Sequence, residues 1–433
     1  MKKTYNSYTL GNKKFNFIAL PQSNYFKLTI MHTIGSNIER VYKQKTGRNV
    51  FGVAHLIEHL AFKSTKDYST EQLLKIDKTK GSHNAGTTYD FIDYMFKTTM
   101  ANIDLAINVV FNVAYNDLSK LTSKEFEIEK MVVANEIRRY MDDDQTMFMF
   151  NSSLVACGYE EGDNVLGLPS IIEAITLEDV KIIKNILLSN QNVAFNIVYD
   201  PCKASQEMII DKILQEEKRF LQTLSPSIVS QEEYMQGLRF PKKGNVMMSN
   251  EAEQAMTMLA FELKENVVLS EIVGKYFEVF AEETSLDDLI RQKNGLTYGI
   301  EFIIDPLSYK PYQFFSCDVS IGDEQKLMDL FKQSIHETVI RFTPERHKAF
   351  MDALILKKTL MHINLESYES LFSIDKIDPT TLKPLESILA HDLDEAFLKM
   401  YQEYASYENM LRAMNHFQED LDKGNYTRIT NTI

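Results

Sequence analysis

The sequence predicts an α+β protein built from a duplicated unit, and three observations support this fold class. The chain has 433 residues, which is too long for one ordinary hydrophobic core. Strand-like and helix-like stretches follow one another in a similar order in both halves. The two halves have comparable lengths and are separated by a segment without periodicity. We therefore expect two related αβ domains, each a mostly antiparallel sheet with helices packed on it.

The first half begins with two predicted strands in residues 14–34, on either side of the turn "PQSN". Residues 50–62 have helical periodicity. A further helix follows, with Ser69 or Thr70 as its N-cap and Gly81 as its stop signal. The remaining elements of this half are a strand in "NAGTTYDFIDYMFKTT", a long helical block that covers "NIDLAINVVFNVAYNDL" and "SKEFEIEKMVVANEIRRYMDD", and a strand at residues 192–200.

Periodicity is lost around residues 221–245, where Ser, Pro, Gly and charged residues gather. We predict a first domain at residues 1–222, a linker at 223–245 and a second domain at 246–433. The second domain repeats the order of the first. It has a strand in "AEQAMTMLAFELK", a helix, strands in "TYGIEFIID" and "YQFFSCDVSI", and then helices to about residue 420.

Composition narrows the possible partners and compartments. The net charge is −14 and no block of Lys and Arg occurs, which argues against nucleic acid as a partner. No uncharged apolar run is long enough for a transmembrane helix. The three cysteines are far apart and odd in number, and no signal peptide is visible. These features predict a protein of a reducing compartment, the cytoplasm, with no membrane partner.

The stretch "GVAHLIEHLAF" is the main candidate for chemistry. On a helix, residues three and four apart share a face, so His55, Glu58 and His59 project together. Two such imidazoles can bind one zinc ion, and a glutamate beside them can act as a general base toward zinc-activated water. The order His-x-x-Glu-His is a known inverted zinc-peptidase pattern. The alternative is a pair of ordinary histidines on an amphipathic helix.

A catalytic zinc needs a third protein ligand. The later helical block offers four carboxylates, and two of them lie seven residues apart on one helix face. One of this pair could bind the metal while the other orients a histidine. The alternative without a functional role is an exposed acidic helix face. The residues alone do not identify which of four acids would be the third ligand: Glu125, Glu127, Glu129 or Glu136.

The segment "GVAHLIEHLAFKST" resembles the signature of the pitrilysin/insulinase family of zinc peptidases, which includes mitochondrial processing peptidase. The resemblance implies that Glu136, 77 residues beyond His59, is the third ligand of one zinc ion per chain. It also implies that Glu129 supports a ligating histidine. "GSHNAGTTYDFIDY" resembles the family's substrate-binding edge strand. The expected substrate-binding residues on that strand are Asn84, Ala85 and Thr87.

In the second half, "LDDLIRQKNGLTYGI" is similar to the family's Arg/Tyr element, which implies substrate-directed roles for Arg291 and Tyr298. Relatives often have a glycine-rich stretch before this element. Here the sequence reads "EVFAEETSLDDL", so we expect a reshaped loop. A single two-domain unit corresponds to half of a clamshell.

The resemblance therefore implies a zinc endopeptidase that cleaves peptides or unfolded segments inside a dimeric chamber. A homodimer is expected, or a heterodimer with a related chain. The alternative is a non-catalytic or partner subunit of a peptide-processing complex.

Overall fold

In a computed structural model, the protein is described at residues 3–142, 162–189, 193–221, 246–248, 254–305, 312–360, 399 and 401–432. The described residues form two compact units. The first extends to residue 221, and the second comprises those from residue 246 onward. The predicted linker, residues 223–245, lies outside the described residues, so the domain boundaries stay predictions. Within the described parts of the chain, every helix is too short or too polar to span a membrane.

The first unit combines six strands with helices. Its strands are β1 Thr4–Leu10, β2 Lys13–Ala19, β3 Tyr25–His32, β4 Ser82–Thr87, β5 Ile92–Thr99 and β6 Val193–Tyr199. Its α-helices are α1 Asn37–Thr46, α2 Val53–Ala61, α3 Thr70–Lys80, α4 Ile103–Ala114, α5 Ser123–Met141, α6 Pro169–Ala174, α7 Leu177–Ser189 and α8 Gln206–Leu221, and a 3₁₀ turn covers Met100–Asn102.

The strands of the first unit form one sheet in the order β1-β2-β6-β3-β5-β4. Strands β2 and β6 are parallel, and all other neighbours are antiparallel. Helix α4 packs on β3 and β5, while α2 packs on α5, α7 and β4. Phe17, Leu28 and Phe96 are almost completely buried in this core. Strand β4 ends the sheet, so it presents an edge close to α2.

The second unit has the strands β7 Val246–Met248, β8 Gln254–Glu262, β9 Ile300–Asp305, β10 Tyr312–Ser320 and β11 Thr427–Thr432. Its α-helices are α9 Val267–Lys275, α10 Glu324–Arg341, α11 Pro344–Leu360 and α12 Tyr407–Lys423. Shorter turns lie between α9 and β9: two π-helical turns at Tyr276–Phe280 and Asp287–Gln292, and a 3₁₀ turn at Glu282–Thr284. The aromatic rings of Phe261, Phe315 and Phe417 meet where α12 covers the sheet.

The second sheet repeats five of the six strands of the first. Its order is β7-β11-β8-β10-β9, with β7 and β11 parallel and the other neighbours antiparallel. The five strands β2-β6-β3-β5-β4 have this same sequence of parallel and antiparallel pairings. Strand β9 therefore corresponds to β4, and each ends its sheet. The predicted α+β class and the predicted duplication are confirmed.

Several elements differ from the sequence-based expectation. The single strand predicted in "NAGTTYDFIDYMFKTT" is two strands, β4 and β5, joined by a turn in which the Thr88 amide donates to the Phe91 carbonyl at 2.9 Å. The helix α1 and the strands β1 and β11 were not predicted. Strands β1 and β11 are rich in Thr, Ser and Asn, so neither carries the apolar alternation that identifies a half-buried strand. Strand β1 is fixed by a hairpin with β2, and strand β11 is fixed by pairing with β8, which is distant in sequence.

A small basic group lies inside the core of the first unit. Lys184 of α7 is buried, donates to the Ala114 carbonyl at 3.1 Å and lies 5.3 Å from the centre of the Tyr94 ring. Burial lowers the pKa of the Lys184 ammonium to about 7, although Asp117 opposes the shift. Burial and the neighbouring Lys184 charge lower the pKa of His32 to about 3. The fold thus contains two basic groups that favour the neutral form.

We expect the substitution Lys184→Met to remove an increase in folding stability that the wild type shows as the pH rises. Between pH of about 7 and about 10, the unfolded chain keeps the Lys184 proton while the folded chain has released it. Stability then rises with pH, by at most about 1.4 kcal/mol per pH unit. Urea denaturation across this range should show that the free energy of unfolding of the wild type increases with pH relative to that of Lys184→Met. Lys181→Met, at an exposed position of the same helix, is the matched control. Parallel pH profiles for wild type and Lys184→Met would contradict the expectation.

Candidate metal centre

Helix α2 presents two chemically different faces. Leu56, Ile57 and Leu60 are completely buried and fix the helix in the core. His55, Glu58 and His59 lie together on the remaining side, as the spacing of three and four residues requires. The ring centres of the two histidines are 4.8 Å apart and the rings are nearly perpendicular, at 88°. The packing of the apolar face therefore determines where the polar face points.

The first turn of α2 is anchored by a buried carboxylate from α1. Glu39 accepts hydrogen bonds from the amides of Gly52 and Ala54, both at 2.7 Å. Burial raises the pKa of Glu39 well above its usual range, against the effect of these two donors. Gly52 has a φ of 89°, and a Cβ atom there would lie 2.4 Å from the Leu166 carbonyl oxygen. Only glycine fits this entry to the helix.

The two imidazoles meet a carboxylate from α5. The Nε2 atom of His59 lies 3.3 Å from Oε2 of Glu136, and the Nε2 atom of His55 lies 3.9 Å from the same oxygen. One potential ligand atom from each of the three residues falls within 4.8 Å of the others. No second group of this kind occurs among the residues that the structure describes.

This donor set fits a zinc ion. Tetrahedral zinc with ligand bonds of about 2.0–2.1 Å places its donor atoms roughly 3.3 Å apart, which equals the Glu136–His59 separation and is shorter than the 3.9 Å between Glu136 and His55. Two imidazole nitrogens and one carboxylate oxygen also leave a fourth position open, as in catalytic zinc sites. Burial and the neighbouring His59 lower the pKa of His55 to about 3, so its ring is neutral near pH 7. A neutral ring is the form that binds metal.

Glu129 takes a different place from Glu136, although both project from α5. Its Oε2 atom lies 3.5 Å from Nδ1 of His59, on the other side of the ring, and its Oε1 atom accepts from Lys63 at 2.7 Å. Burial would raise the pKa of Glu129, but the hydrogen bonds to His59 and Lys63 lower it overall. Glu129 is therefore an anion that can orient His59. Lys63 holds it away from the ligand position.

The same carboxylates act on His59. Burial alone would lower the pKa of this imidazole, but the hydrogen bond to Glu129 and the charges of Glu58 and Glu136 raise it above the ordinary value. The other two acids of α5 serve elsewhere. Glu125 closes the capping box with Thr122 at the start of the helix, and Glu127 is exposed beside Lys130.

Glu58 is held by the edge strand. The Thr87 hydroxyl donates to Oε2 of Glu58 at 2.6 Å. Within the described residues, no hydrogen bond engages the other carboxylate oxygen, Oε1. Asn84, on the same strand, is exposed, and Ala85 is half-buried opposite Tyr94. Sequence reasoning assigned Thr87 to substrate binding. It missed the contact with Glu58, for which the sequence has no signal.

The second unit carries the predicted Arg/Tyr pair. Tyr298 is 90% exposed just before β9. The Arg291 guanidinium lies 5.4 Å from the centre of the Tyr298 ring and pairs with Asp287 at 3.2 Å. Arg291 belongs to a π-helical turn, a local irregularity that often marks functional positions. The loop before this element is thus built from short turns instead of a glycine-rich stretch.

Two αβ units of matching topology, one with a His-x-x-Glu-His motif that faces a carboxylate distant in sequence, suit the class of zinc metallopeptidases. A sequence profile of the insulinase family (Peptidase family M16) matches residues 45–159. The chain is 30% identical over 205 residues to the zinc protease PqqE of Helicobacter pylori, a match that spans 45% of this chain and 43% of that protein. These matches support a relationship of the chain to the pitrilysin/insulinase-like family.

Solved structures share the fold over the whole chain. A protease from Helicobacter pylori superposes with a TM-score of 0.73 at 18% identity and covers 100% of both chains. An inactive domain of a family M16 peptidase from Pseudomonas fluorescens has a TM-score of 0.73 at 12% identity, and the match covers 99% of this chain and 97% of that one. The fold therefore occurs both in a protein described as a protease and in one described as an inactive domain.

We expect the two glutamates of α5 to differ in their effect on zinc affinity. Glu136→Gln removes a negatively charged ligand, whereas Glu129→Gln disturbs only the orientation of His59. The second change should weaken binding about 10–100-fold, and the first should weaken it more. Competition with a chromophoric zinc chelator measures both.

The exposed Glu127→Gln on the same helix is the control and should bind zinc like the wild type. Wild-type zinc affinity in Glu136→Gln would show that this carboxylate is not a ligand.

Proposed function

We propose that the protein is a zinc-dependent endopeptidase acting on peptides or unfolded polypeptide segments. One observation carries this proposal. The Nε2 atoms of His55 and His59 converge with Oε2 of Glu136, next to a glutamate held against an exposed sheet edge. The family and the zinc-protease names of its relatives support the same chemistry.

In this proposal His55, His59 and Glu136 bind zinc, and Glu58 is the general base. When bound, zinc supplies a Lewis acid that polarises a carbonyl group and acidifies water. Burial raises the pKa of Glu58, with smaller contributions from Asp93 and Glu136, while Thr87 and His59 oppose the shift. A carboxylate with a raised pKa can both accept a proton at Oε1 and return it to a leaving amine.

The edge strand β4 binds the substrate as an added strand. Its outer side has no strand partner among the described residues, so its main chain near Asn84 and Ala85 can pair with an extended peptide. Main-chain pairing gives affinity with little dependence on side chains. It also requires an extended segment, which excludes folded proteins.

Arg291 and Tyr298 act on the substrate from the second unit. A phenol can donate a hydrogen bond to a developing oxyanion, and a guanidinium can bind a peptide carbonyl. The high exposure of Tyr298 leaves its hydroxyl accessible to a bound substrate. We propose a homodimer in which each site takes zinc from one subunit and Tyr298 from the other. The location proposed for it is the cytoplasm.

The alternative is a non-catalytic or heterodimeric subunit of a peptide-processing complex. One relative with the same fold is described as an inactive domain, which supports considering this role. Against it, the chain has His55, Glu58, His59 and Glu136 together. A subunit without catalysis has no need for this combination.

The variant Glu58→Gln should lose peptide cleavage and keep zinc. The amide cannot accept the proton, and the three ligands are unchanged. Incubation with a mixed peptide pool, with and without a chelator, followed by mass spectrometry, measures the loss. We expect a drop in rate of at least about 100-fold, with zinc content equal to that of the wild type. Cleavage at the wild-type rate would rule out Glu58 as the base.

Mixing experiments test the shared site. Glu58→Gln subunits and Tyr298→Phe subunits should each be nearly inactive as homodimers. If the sites are shared between subunits, a mixed dimer contains one intact site and one doubly defective site, so activity returns on mixing. If each chain supplies its own Tyr298, mixing restores nothing. The mass of the protein in solution reports independently whether a dimer forms.

A further inference from the structure

The main chain and the side chain of Thr87 make contacts with different parts of the first unit: the main chain belongs to the sheet and the hydroxyl contacts α2. It is the last residue of the edge strand β4, where its backbone pairs with Ile92. Its hydroxyl leaves the strand on the side of α2 and donates to Oε2 of Glu58 at 2.6 Å. Thr87 is therefore a link between the sheet edge and the polar face of α2.

We propose that Thr87 is a positioning residue for the general base, and this proposal rests on the function proposed above. Glu58 is a flexible side chain on a helix, and two staggered torsions and a broad third torsion set the position of its carboxylate. A β-branched residue in a strand has a restricted χ1, so the Thr87 hydroxyl has a well-defined position. Its short hydrogen bond to Glu58 therefore restrains the position of the Glu58 carboxylate.

The orientation of the hydrogen bond leaves the working oxygen available. Because Thr87 occupies Oε2, the carboxylate presents Oε1 for proton transfer. Asp93 faces the neighbouring Gly86, whose Cβ position would lie 3.1 Å from Asp93 Oδ1, and this second acid repels the Glu58 charge. The hydroxyl therefore holds Glu58 in place against a nearby like charge.

This link also couples binding to chemistry. A peptide that pairs with β4 takes its register from the same backbone that bears Thr87. The carboxylate that Thr87 holds is then aligned with the register of the bound peptide. Displacement of a catalytic group by about 1 Å can cost about 100-fold in rate, so the effect of the hydroxyl should fall on kcat.

The test compares Thr87→Val with Thr87→Ser. Valine keeps the shape and the branched Cβ but lacks the hydroxyl, and serine keeps the hydroxyl. For Thr87→Val we expect kcat to fall about 10–100-fold, with KM within about twofold of wild type because main-chain pairing is retained. Thr87→Ser should recover most of kcat. Zinc content should be unchanged in both.

Thr79→Val is the matched control. Thr79 is exposed on α3 and its hydroxyl donates only to the Lys75 carbonyl of its own helix, so we expect wild-type kinetics. Wild-type kcat in Thr87→Val would overturn the proposal. A rise in KM alone would do so as well, because it would assign Thr87 to substrate binding. Equal loss in Thr87→Ser and Thr87→Val would do the same.

A second measurement does not depend on activity. Crystal structures of the zinc-free variants should show the Glu58 carboxylate in its wild-type place in Thr87→Ser and displaced in Thr87→Val. An unmoved Glu58 in Thr87→Val overturns the proposal even if no peptide is ever cleaved. Absence of cleavage by the wild type, with Glu58 displaced in Thr87→Val, would instead refute the proposed peptidase function alone.

Discussion

Burial of the apolar face of α2 is the constraint on which the candidate site depends. A nine-residue helix is too short to be stable by itself in water, so tertiary packing must hold it. Leu56, Ile57 and Leu60 supply that packing against α5 and α7, each contributing about 1.5–3 kcal/mol when fully buried. Because this burial fixes the rotation of the helix, it also determines the direction in which His55, Glu58 and His59 point. They face α5 and β4, where the remaining groups of the site lie.

Three of the four glutamates around this helix have their own cation or hydrogen-bond donor, and these separate partners keep the four apart in role. Glu39 is satisfied by two backbone amides, Glu129 by Lys63 and Glu58 by Thr87. Glu136 differs from these three, because its Oε2 atom approaches both histidine Nε2 atoms at the candidate metal centre. Without these partners, burial and mutual repulsion would raise the pKa values of these acids further. The partners make a dense acidic region compatible with a folded core.

The sequence predicted the parts of this site that follow helical spacing and missed those that depend on tertiary contact. The face shared by His55, Glu58 and His59 follows from periodicity alone. Glu129 and Glu136 share a face of α5 for the same reason, but the choice between them came from the family resemblance and is still a prediction. In the structure, Lys63 and the two nitrogens of His59 separate their positions. The contacts of Glu39 and Thr87 join elements far apart in sequence, and no local pattern encodes them.

The duplication places the candidate functional groups of both units in equivalent parts of the fold. The motif helix α2 lies in the connection between β3 and β4, and Arg291 and Tyr298 lie in the connection between β8 and β9. These connections are topologically equivalent, since β3 and β4 correspond to β8 and β9 in the two sheets. Each leads into the strand that ends its sheet. Equivalent connections thus carry His55, Glu58 and His59 in the first unit and Arg291 and the exposed Tyr298 in the second.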